Sequence, residues 1–433
     1  MSKKVLIITY YWPPSGGGGV QRWLKFVKYL PEYGWEPIVF TPENPDFELQ
    51  DDGLLADVPK GIQVIKQPIW EPFALYRKLM GKKAVQKQGV VSQTGGSLVG
   101  RLIRWIRGNA FVPDARVFWV RPASKYLINY LKENPVDVIA TTGPPHSMHL
   151  IGQRVKRKTG IPWVADFRDP WSEWDVLPQL SLNKRSWERH KQMEFGVLNL
   201  ADKVVTVSNR LGEALDRIAG VPVTEVVNNG YDGADFDEFE SQVPDKFRLV
   251  HMGLLNEGRN PVKLWKVLDK LCEREPDFAD ELEVVLAGTI EQSVKNHVAE
   301  YKHLASRVKI LDYIPHEEAI TVNRSAALLL VLLNQTSNSP WILPGKMYEY
   351  LPIHRPILSF GPLESDANDL LKGCGYAGFL RYNDVKGIQA LVLNYFRAYQ
   401  EGNTKEGNAS VEQFTRKNLT AKLSGILENV VLD

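Results

Sequence analysis

The sequence has few of the residues that cross-link small or secreted proteins. Its 433 residues include only two cysteines, Cys272 and Cys374, which lie far apart in the chain. Such a pair provides neither a disulfide framework nor a metal-binding motif. No apolar run approaches the ~20 residues that span a bilayer, and short-period repeats and low-complexity tracts are missing as well. These absences argue against disulfide-rich, transmembrane and solenoid proteins, and we expect no metal and no cofactor.

The opening residues 1–14 combine two lysines with a short apolar run that ends in prolines. The run is too short for a signal peptide and lacks a small-residue cleavage site, so we expect a first β-strand and a cytoplasmic protein. With 44% hydrophobic and 24% charged residues, the composition is that of an ordinary globular protein. The length exceeds what one hydrophobic core usually holds, which predicts two domains.

The net charge of +2 conceals an asymmetry between the two halves. Residues 1–215 carry 30 basic and 20 acidic residues, whereas residues 216–433 carry 23 and 31. The excess of basic residues is greatest over residues 72–113, which contain eight basic residues and no acid. The basic N-terminal half therefore predicts an anionic partner such as a lipid headgroup or a pyrophosphate. No recognised nucleic-acid-binding module accompanies the basic cluster, so we expect no nucleic acid.

Apolar strands alternate with helical segments in both halves, which predicts two doubly wound parallel sheets. We expect an N-terminal Rossmann-like domain over residues 1–215, a hinge over 221–232 and a second Rossmann-like domain over 216–408. A C-terminal helix over 409–431 is expected to return to the first domain. The predicted fold class is therefore α/β, with two domains facing each other across a cleft. The predicted strands lie at residues 4–12, 36–42, 61–68, 137–145, 162–167, 201–208, 247–253, 282–288, 307–315, 327–333 and 354–360.

The most informative segment is PGKMYEYL (344–351), which follows an apolar strand and a polar loop. Gly345 would begin a helix whose N-terminus suits a phosphate, and Lys346 would add a positive charge there. Glu349 would lie on the same helix face and could accept hydrogen bonds from a ribose. The alternative is an ordinary core helix with a lysine and a glutamate on its surface.

Two glycine turns follow the first strands of the two predicted domains. Gly17 and Gly18 belong to a run of four glycines that lets the backbone approach a ligand closely. Gln21 stands where the dinucleotide pattern needs a third glycine, which argues against NAD. Gly253 and Arg259 repeat the arrangement in the second half, and Arg259 is placed to hold a diphosphate. A flexible turn and a surface arginine are the alternatives.

Polar and aromatic residues also gather where two strands of the first half end. Asp166, Arg168 and Asp169 follow one strand, at the edge where α/β sheets carry their chemistry. Purely structural pairing of these charges is the alternative. Trp171 could stack on a sugar ring, although tryptophan is more often a core residue.

His146 and His149 follow another strand of the first half, three residues apart. They lack the further ligands that a metal site would need. We interpret them as helix-cap or substrate-contact residues, with plain surface histidines as the alternative.

Residues 97–108 project onto a helix with an apolar arc and a separate arc of Arg101, Arg104 and Arg107. A helix of this kind can lie on an anionic membrane surface. Packing against its own domain, with the basic arc in solvent, is the alternative. The apolar arc consists of Leu98, Val99, Leu102, Ile103, Trp105 and Ile106.

The segments ADFRDPW (165–171), GKMYEYL (345–351) and RPIL (355–358) together resemble the retaining GT-B glycosyltransferases of family 4. The resemblance covers nearly the whole chain and points to the bacterial branch that builds surface polysaccharides. It implies that the second domain binds a nucleotide-sugar donor and that the first binds a glycan or lipid-linked acceptor. Arg259 and Lys346 would then hold the diphosphate and Glu349 the ribose hydroxyls. The implied donor site further includes Gly17, Gly18, Gly253, Gly345 and Met347.

By the same resemblance, Asp166, Arg168 and Asp169 would contact sugar and acceptor hydroxyls, while His146, His149 and Trp171 would bind the acceptor. The chain departs from the family pattern at three positions. Trp341 stands eight residues before Glu349, where the family often has a second glutamate. Leu254 and Arg168 replace an arginine and a histidine.

The expected reaction is sugar transfer with retention of configuration, without a protein nucleophile or a metal. The leaving diphosphate would be stabilised by Arg259, Lys346 and the helix N-terminus. A non-catalytic scaffold that binds a sugar nucleotide or glycolipid, and a nucleotide-sugar epimerase, are the alternative functions.

Overall fold

The structure, a computed structural model, describes residues 2–47, 49–71, 98–236, 244–407 and 410–432. The chain forms two compact units, one of residues 1–228 with 416–433 and the other of residues 229–415. The division therefore falls thirteen residues after the predicted boundary at 215. The segment predicted as a hinge contains a strand, Thr224–Val226, which pairs with the first sheet. A three-residue edge strand is too short to leave a periodic pattern in the sequence.

The first unit is built on a parallel sheet of seven strands among its described residues, in the order β3-β2-β1-β4-β5-β6-β7. Parallel strands bring their carboxyl ends to one edge of a sheet, so the loops after β1, β4 and β5 are neighbours. The strands are β1 (Lys3–Ile8), β2 (Trp35–Pro42), β3 (Gln63–Gln67), β4 (Val138–Gly143), β5 (Trp163–Phe167), β6 (Lys203–Thr206) and β7 (Thr224–Val226). The helices described in this unit are α1 (Gly18–Tyr29), α2 (Leu98–Ala110), α3 (Val117–Glu133), α4 (Ser147–Thr159), α5 (Lys184–Leu198) and α6 (Asn209–Ala219).

The second unit repeats the scheme with a parallel sheet of five strands in its described part, in the order β10-β9-β8-β11-β12. The strands are β8 (Phe247–Met252), β9 (Leu282–Ala287), β10 (Val308–Leu311), β11 (Leu328–Leu332) and β12 (Ile357–Phe360). Its described helices are α7 (Val262–Arg274), α8 (Pro276–Glu281), α9 (Gln292–Ala299), α10 (His316–Arg324), α11 (Gly345–Tyr350), α12 (Asp366–Gly373) and α13 (Val385–Gln400). Two parallel-sheet α/β units confirm the predicted fold class.

The C-terminal helix α14 (Arg416–Leu432) returns to the first unit, as the apolar spacing of the tail predicted. Leu423 and Leu427 are fully buried in the core that α1, β1 and β2 share. Trp35 on β2 donates from Nε1 to the hydroxyl of Ser424 at 3.1 Å, which adds a specific contact to this packing. None of the described helices has the length and apolarity needed to cross a membrane.

A buried ion pair fastens α1 to the middle of the first sheet. Arg22 on α1 donates from Nη2 to Oδ1 of Asp166 on β5 at 2.9 Å, and both side chains are 1% exposed. Trp23 Nε1 and Thr142 Oγ1 donate to the second carboxylate oxygen at 2.7 and 2.9 Å. Arg22 Nη1 also donates to the carbonyl of Asn228 at 2.9 Å. Burial alone would raise the pKa of Asp166, but the Arg22 guanidinium and the hydrogen bonds outweigh it and lower that pKa.

We expect Asp166→Ala to lower the free energy of unfolding by about 3–5 kcal/mol, because it leaves the Arg22 guanidinium buried without its counter-charge. Urea unfolding followed by tryptophan fluorescence measures the effect. Asp52→Ala is the control, since Asp52 is an exposed carboxylate of the same unit and its removal should change the free energy by about 0.5 kcal/mol or less. Equal losses in the two variants would contradict a structural role for the pair.

Candidate functional site

Two glycine turns meet at the carboxyl edge of the second sheet. Gly253 follows β8 with a φ of 108°, and Gly288 follows β9 with a φ of 112°, in a region that side chains rarely adopt. A Cβ atom at Gly288 would lie 2.7 Å from the carbonyl oxygen of Gly253. The space above Gly253 is open, since a Cβ atom there would meet nothing within 4 Å. The two glycines therefore let the two turns approach each other closely and leave room for a ligand beside Gly253.

Lys346 lies at this same edge. It sits in the first turn of α11 and donates from Nζ to the carbonyl oxygen of Met252, the last residue of β8, at 2.9 Å. The side chain is half-buried. Burial, reinforced by the positive charge of Arg259 and opposed by Glu349, lowers the pKa of Lys346 to about 7. The lysine is therefore poised between its charged and neutral forms near neutral pH.

Arg259 is the second cation at this edge. Its Nε donates to Oδ1 of Asn334 at 2.8 Å, and its Nη1 donates to the carbonyl of Leu254 at 3.4 Å. Asn334, in the loop after β11, was not identified from the sequence as part of the site. A short polar loop after a buried strand was the available signal, but nothing in it singled out this amide.

The other predicted residues of this segment have different surroundings. Glu349 is half-buried on α11, and Gly345 is exposed at the start of that helix. Met347 is fully buried in the core of the second unit, so its side chain does not reach the surface. The helix is only six residues long, so few aligned peptide dipoles add to the positive potential at its N-terminus. The described arrangement thus leaves anion binding mainly to Lys346 and Arg259.

The glycine run of the first unit opens α1 at the carboxyl end of β1. Gly17 precedes the helix with a φ of 87°, and a Cβ atom at Gly18 would meet nothing within 4 Å. Gly19 is different, because a Cβ atom there would approach the Arg168 guanidinium to 3.1 Å. Arg168 donates from Nη1 to the Gly19 carbonyl at 2.9 Å and from Nη2 to the Pro144 carbonyl. The half-buried Arg168 side chain therefore joins the loops after β1, β4 and β5.

Of the three charged residues predicted at the end of β5, only Asp169 is exposed. Asp166 is enclosed by the donors of Arg22, Trp23 and Thr142, so it faces the protein core in this arrangement. Arg22, its main partner, was missed by the sequence analysis. A carboxylate inside a buried strand needs a counter-charge, and that requirement was the signal that a basic residue of a neighbouring helix must reach it.

His146, His149 and Trp171 lie together in one buried aromatic stack. His146 stacks on Trp171 with ring centroids 4.8 Å apart, and His149 stacks on Phe167 at 4.4 Å. Trp171 is 1% exposed and donates from Nε1 to His190 at 3.0 Å, so neither of its faces is open to a sugar. Burial lowers the pKa of His149 to about 3, and the ring is neutral at physiological pH. Acceptor contacts by these residues stay a prediction, and the described packing gives them a positioning role beneath the loops.

Metal independence also stays a prediction. Within the described part of the chain, no three His, Cys, Asp or Glu side chains are grouped so that they could hold a metal ion.

Solved structures of similar fold cover the chain almost completely. A glycosyltransferase from Rickettsia africae ESF-5 superposes with a TM-score of 0.62 at 13% identity, and 99% of each chain is covered. Sucrose-phosphate synthase from Thermosynechococcus elongatus gives a TM-score of 0.64 at 12% identity, again with 99% of each chain covered. WaaG, a glycosyltransferase involved in lipopolysaccharide biosynthesis, gives 0.57 at 13% identity, with 98% of this chain and 99% of WaaG covered. At such identities the likeness establishes the GT-B fold and nothing finer.

No curated protein sequence matches the chain. The sequence profile described as Glycosyltransferase Family 4 matches residues 16–234, which include the first glycine turn and the end of β5. This match spans just over half of the 433 residues. The protein therefore belongs to glycosyltransferase family 4.

Proposed function

We propose that the protein transfers a sugar, with retention of configuration, from a nucleotide-sugar donor to a glycan or lipid-linked acceptor in cell-surface polysaccharide synthesis. The family establishes sugar transfer, and such enzymes need a nucleotide-sugar donor and an acceptor. The stereochemistry, the acceptor class and the biological role are our proposals. The resemblance of the ADFRDPW and GKMYEYL segments to the polysaccharide-building branch supports them.

One observation carries the assignment of the donor site. Lys346 and Arg259 lie close enough for each charge to oppose the other at the end of β8, beside the open space above Gly253. The two cations repel each other, and Glu349 offsets this repulsion only in part. A diphosphate would offset the remainder and would accept hydrogen bonds from both side chains. A donor diphosphate therefore fits this edge better than a neutral ligand does.

The chemistry follows from the charge that develops as the glycosidic bond to the diphosphate breaks. Lys346 and Arg259 would stabilise the departing nucleoside diphosphate, so no protein nucleophile is required. The acceptor hydroxyl would attack from the face that the diphosphate leaves, which retains the configuration at the anomeric carbon. Glu349, on the same helix as Lys346, would accept hydrogen bonds from the ribose hydroxyls. We assign acceptor binding to the first unit, where Arg168 and Asp169 border the glycine loop.

We expect Lys346→Ala and Arg259→Ala each to lower kcat/KM for the donor by about 10²–10³-fold, the loss seen when one charge-stabilising group is removed from an active site. The donor is first identified by a thermal-shift screen of sugar nucleotides, because stabilisation rises with affinity. Lys263→Ala is the matched control, since Lys263 is an exposed lysine four residues after Arg259. Turnover at the wild-type rate in both site variants would refute the assignment. Interconversion of the donor sugar without any acceptor would instead favour the epimerase alternative.

Nucleoside diphosphate binding should also take up a proton between about pH 7 and 9. Without a ligand, the pKa of Lys346 is about 7. A bound diphosphate favours the charged ammonium and therefore raises that pKa. The affinity should therefore be highest below pH 7 and should fall as the pH rises. Isothermal titration calorimetry at pH 8 in buffers of different ionisation enthalpy measures the uptake.

Lys346→Arg provides the control for this measurement, because arginine stays charged throughout the range. The variant should bind without proton uptake and with little dependence on pH. Equal uptake in the variant and the wild type would show that another group titrates.

A further inference from the structure

An exposed aromatic cluster on the first unit plays no part in the sites described above. The Trp70 and Phe118 rings meet edge to face at 5.1 Å, and Phe111 meets Phe118 at 5.8 Å. Trp70 is 59% exposed and Phe118 is 45% exposed. Large rings that touch one another and remain exposed form a contiguous apolar patch, which marks an interaction surface.

Helix α2 adjoins this cluster in the chain. It ends at Ala110, directly before Phe111, and it exposes 48% of Trp105 and 38% of Ile106. Arg101 and Arg107 on the same helix are also exposed. The predicted helix over 97–108 is thus confirmed as a helix. The side chains of Leu98, Val99, Leu102 and Ile103, which were predicted for the apolar arc, lie outside the described residues.

Residues 98–132, which carry most of the aromatic cluster, are basic, although Arg116 among them is paired with Glu71 at 3.0 Å. Residues 98–132 contain seven basic residues and one acid. That acid, Asp114, accepts hydrogen bonds from the backbone N–H and the hydroxyl of Ser147 at 2.9 and 2.8 Å. Arg121 and Lys125 follow Phe118 by three and seven residues on α3, so they share its helix face, and both are exposed. The charge of this surface is therefore complementary to an anionic partner.

We propose that this surface docks the protein on an anionic lipid bilayer, with the aromatic rings at the level of the headgroups. Tryptophan and phenylalanine partition into the membrane interface, and each nearby Lys or Arg adds attraction to anionic lipid. A soluble polyanion would use the positive charges but would leave the exposed rings without a partner. The docking surface consists of Trp70, Phe118, Trp105, Ile106, Phe111, Arg101, Arg107, Arg121 and Lys125.

The position of the docking surface bears on the acceptor. Trp70 precedes Glu71, whose carboxylate accepts from the hydroxyl of Tyr10 at 2.9 Å, and Tyr10 lies two residues after β1. The surface therefore adjoins the carboxyl edge of the first sheet, where the glycine loop begins. This step alone rests on the proposed function, and it selects a lipid-linked acceptor presented from the bilayer over a soluble glycan.

The test is flotation of the full chain with vesicles of phosphatidylcholine and phosphatidylglycerol, in the absence of donor and acceptor. Trp70→Ser/Phe118→Ser should lower the vesicle partition coefficient by about tenfold or more, since binding scales with the apolar area inserted. Arg121→Glu/Lys125→Glu should lower it most at low salt, because screening already weakens charge attraction at high salt. Phe195→Ser and Arg157→Glu/Lys158→Glu are the matched controls, because these residues are exposed elsewhere on the first unit.

Unchanged flotation of both docking-surface variants would overturn the proposal. So would loss of a concentration-dependent dimer in sedimentation experiments without any change in flotation, since a second copy of the chain would then be the occupant. The thermal unfolding midpoint should be the same in all variants, which shows that they fold. Because flotation requires no turnover, failure of membrane docking and failure of the proposed reaction are distinguishable.

Discussion

The buried pair between Arg22 and Asp166 is the interaction on which the first unit most depends. It lies in the middle of the sheet, where neither charge can be solvated, so each needs the other. Arg168, the residue directly after the same strand, holds the start of α1 a second time by donating to the Gly19 carbonyl. The helix is thus tied to β5 at its first turn and one turn further along. These two contacts fix the position of the glycine loop relative to the sheet. They therefore also determine the space next to Gly17 and Gly18.

In the second unit, the notable electrostatic feature is a pair of neighbouring cations. This unit carries the acidic excess of the chain, yet it brings two cations together at the end of β8. Asn334 and two backbone carbonyls hold them in place with neutral oxygens, so their positive charge is not cancelled by these contacts. Glu349 offsets part of the charge interaction at Lys346, and under the proposed function the remaining positive charge would stabilise the leaving group.

The fold was largely predictable from the sequence, and the site only in part. Alternating apolar strands and helices predicted two parallel sheets, and the spacing of leucines in the tail predicted the returning helix. Lys346 was selected because a helix start follows a buried strand and a polar loop, and Arg259 because it follows a glycine turn. Their role in donor binding stays a prediction. Arg22 and Asn334 were missed, because their roles depend on contacts 144 and 75 residues away in the chain. Trp171 illustrates the opposite case. Its residue type often stacks on sugars, but in this structure the side chain is packed in the interior.

The contact between Gly253 and Gly288 has a consequence for recognising related proteins. A side chain at either position would require a strained backbone conformation, and at Gly288 its Cβ atom would also clash with the backbone of Gly253. Each position therefore favours glycine while the edge of the sheet keeps its shape. They lie 35 residues apart and belong to no local motif. The pair therefore gives two positions by which sequences able to form this edge of the second sheet could be recognised.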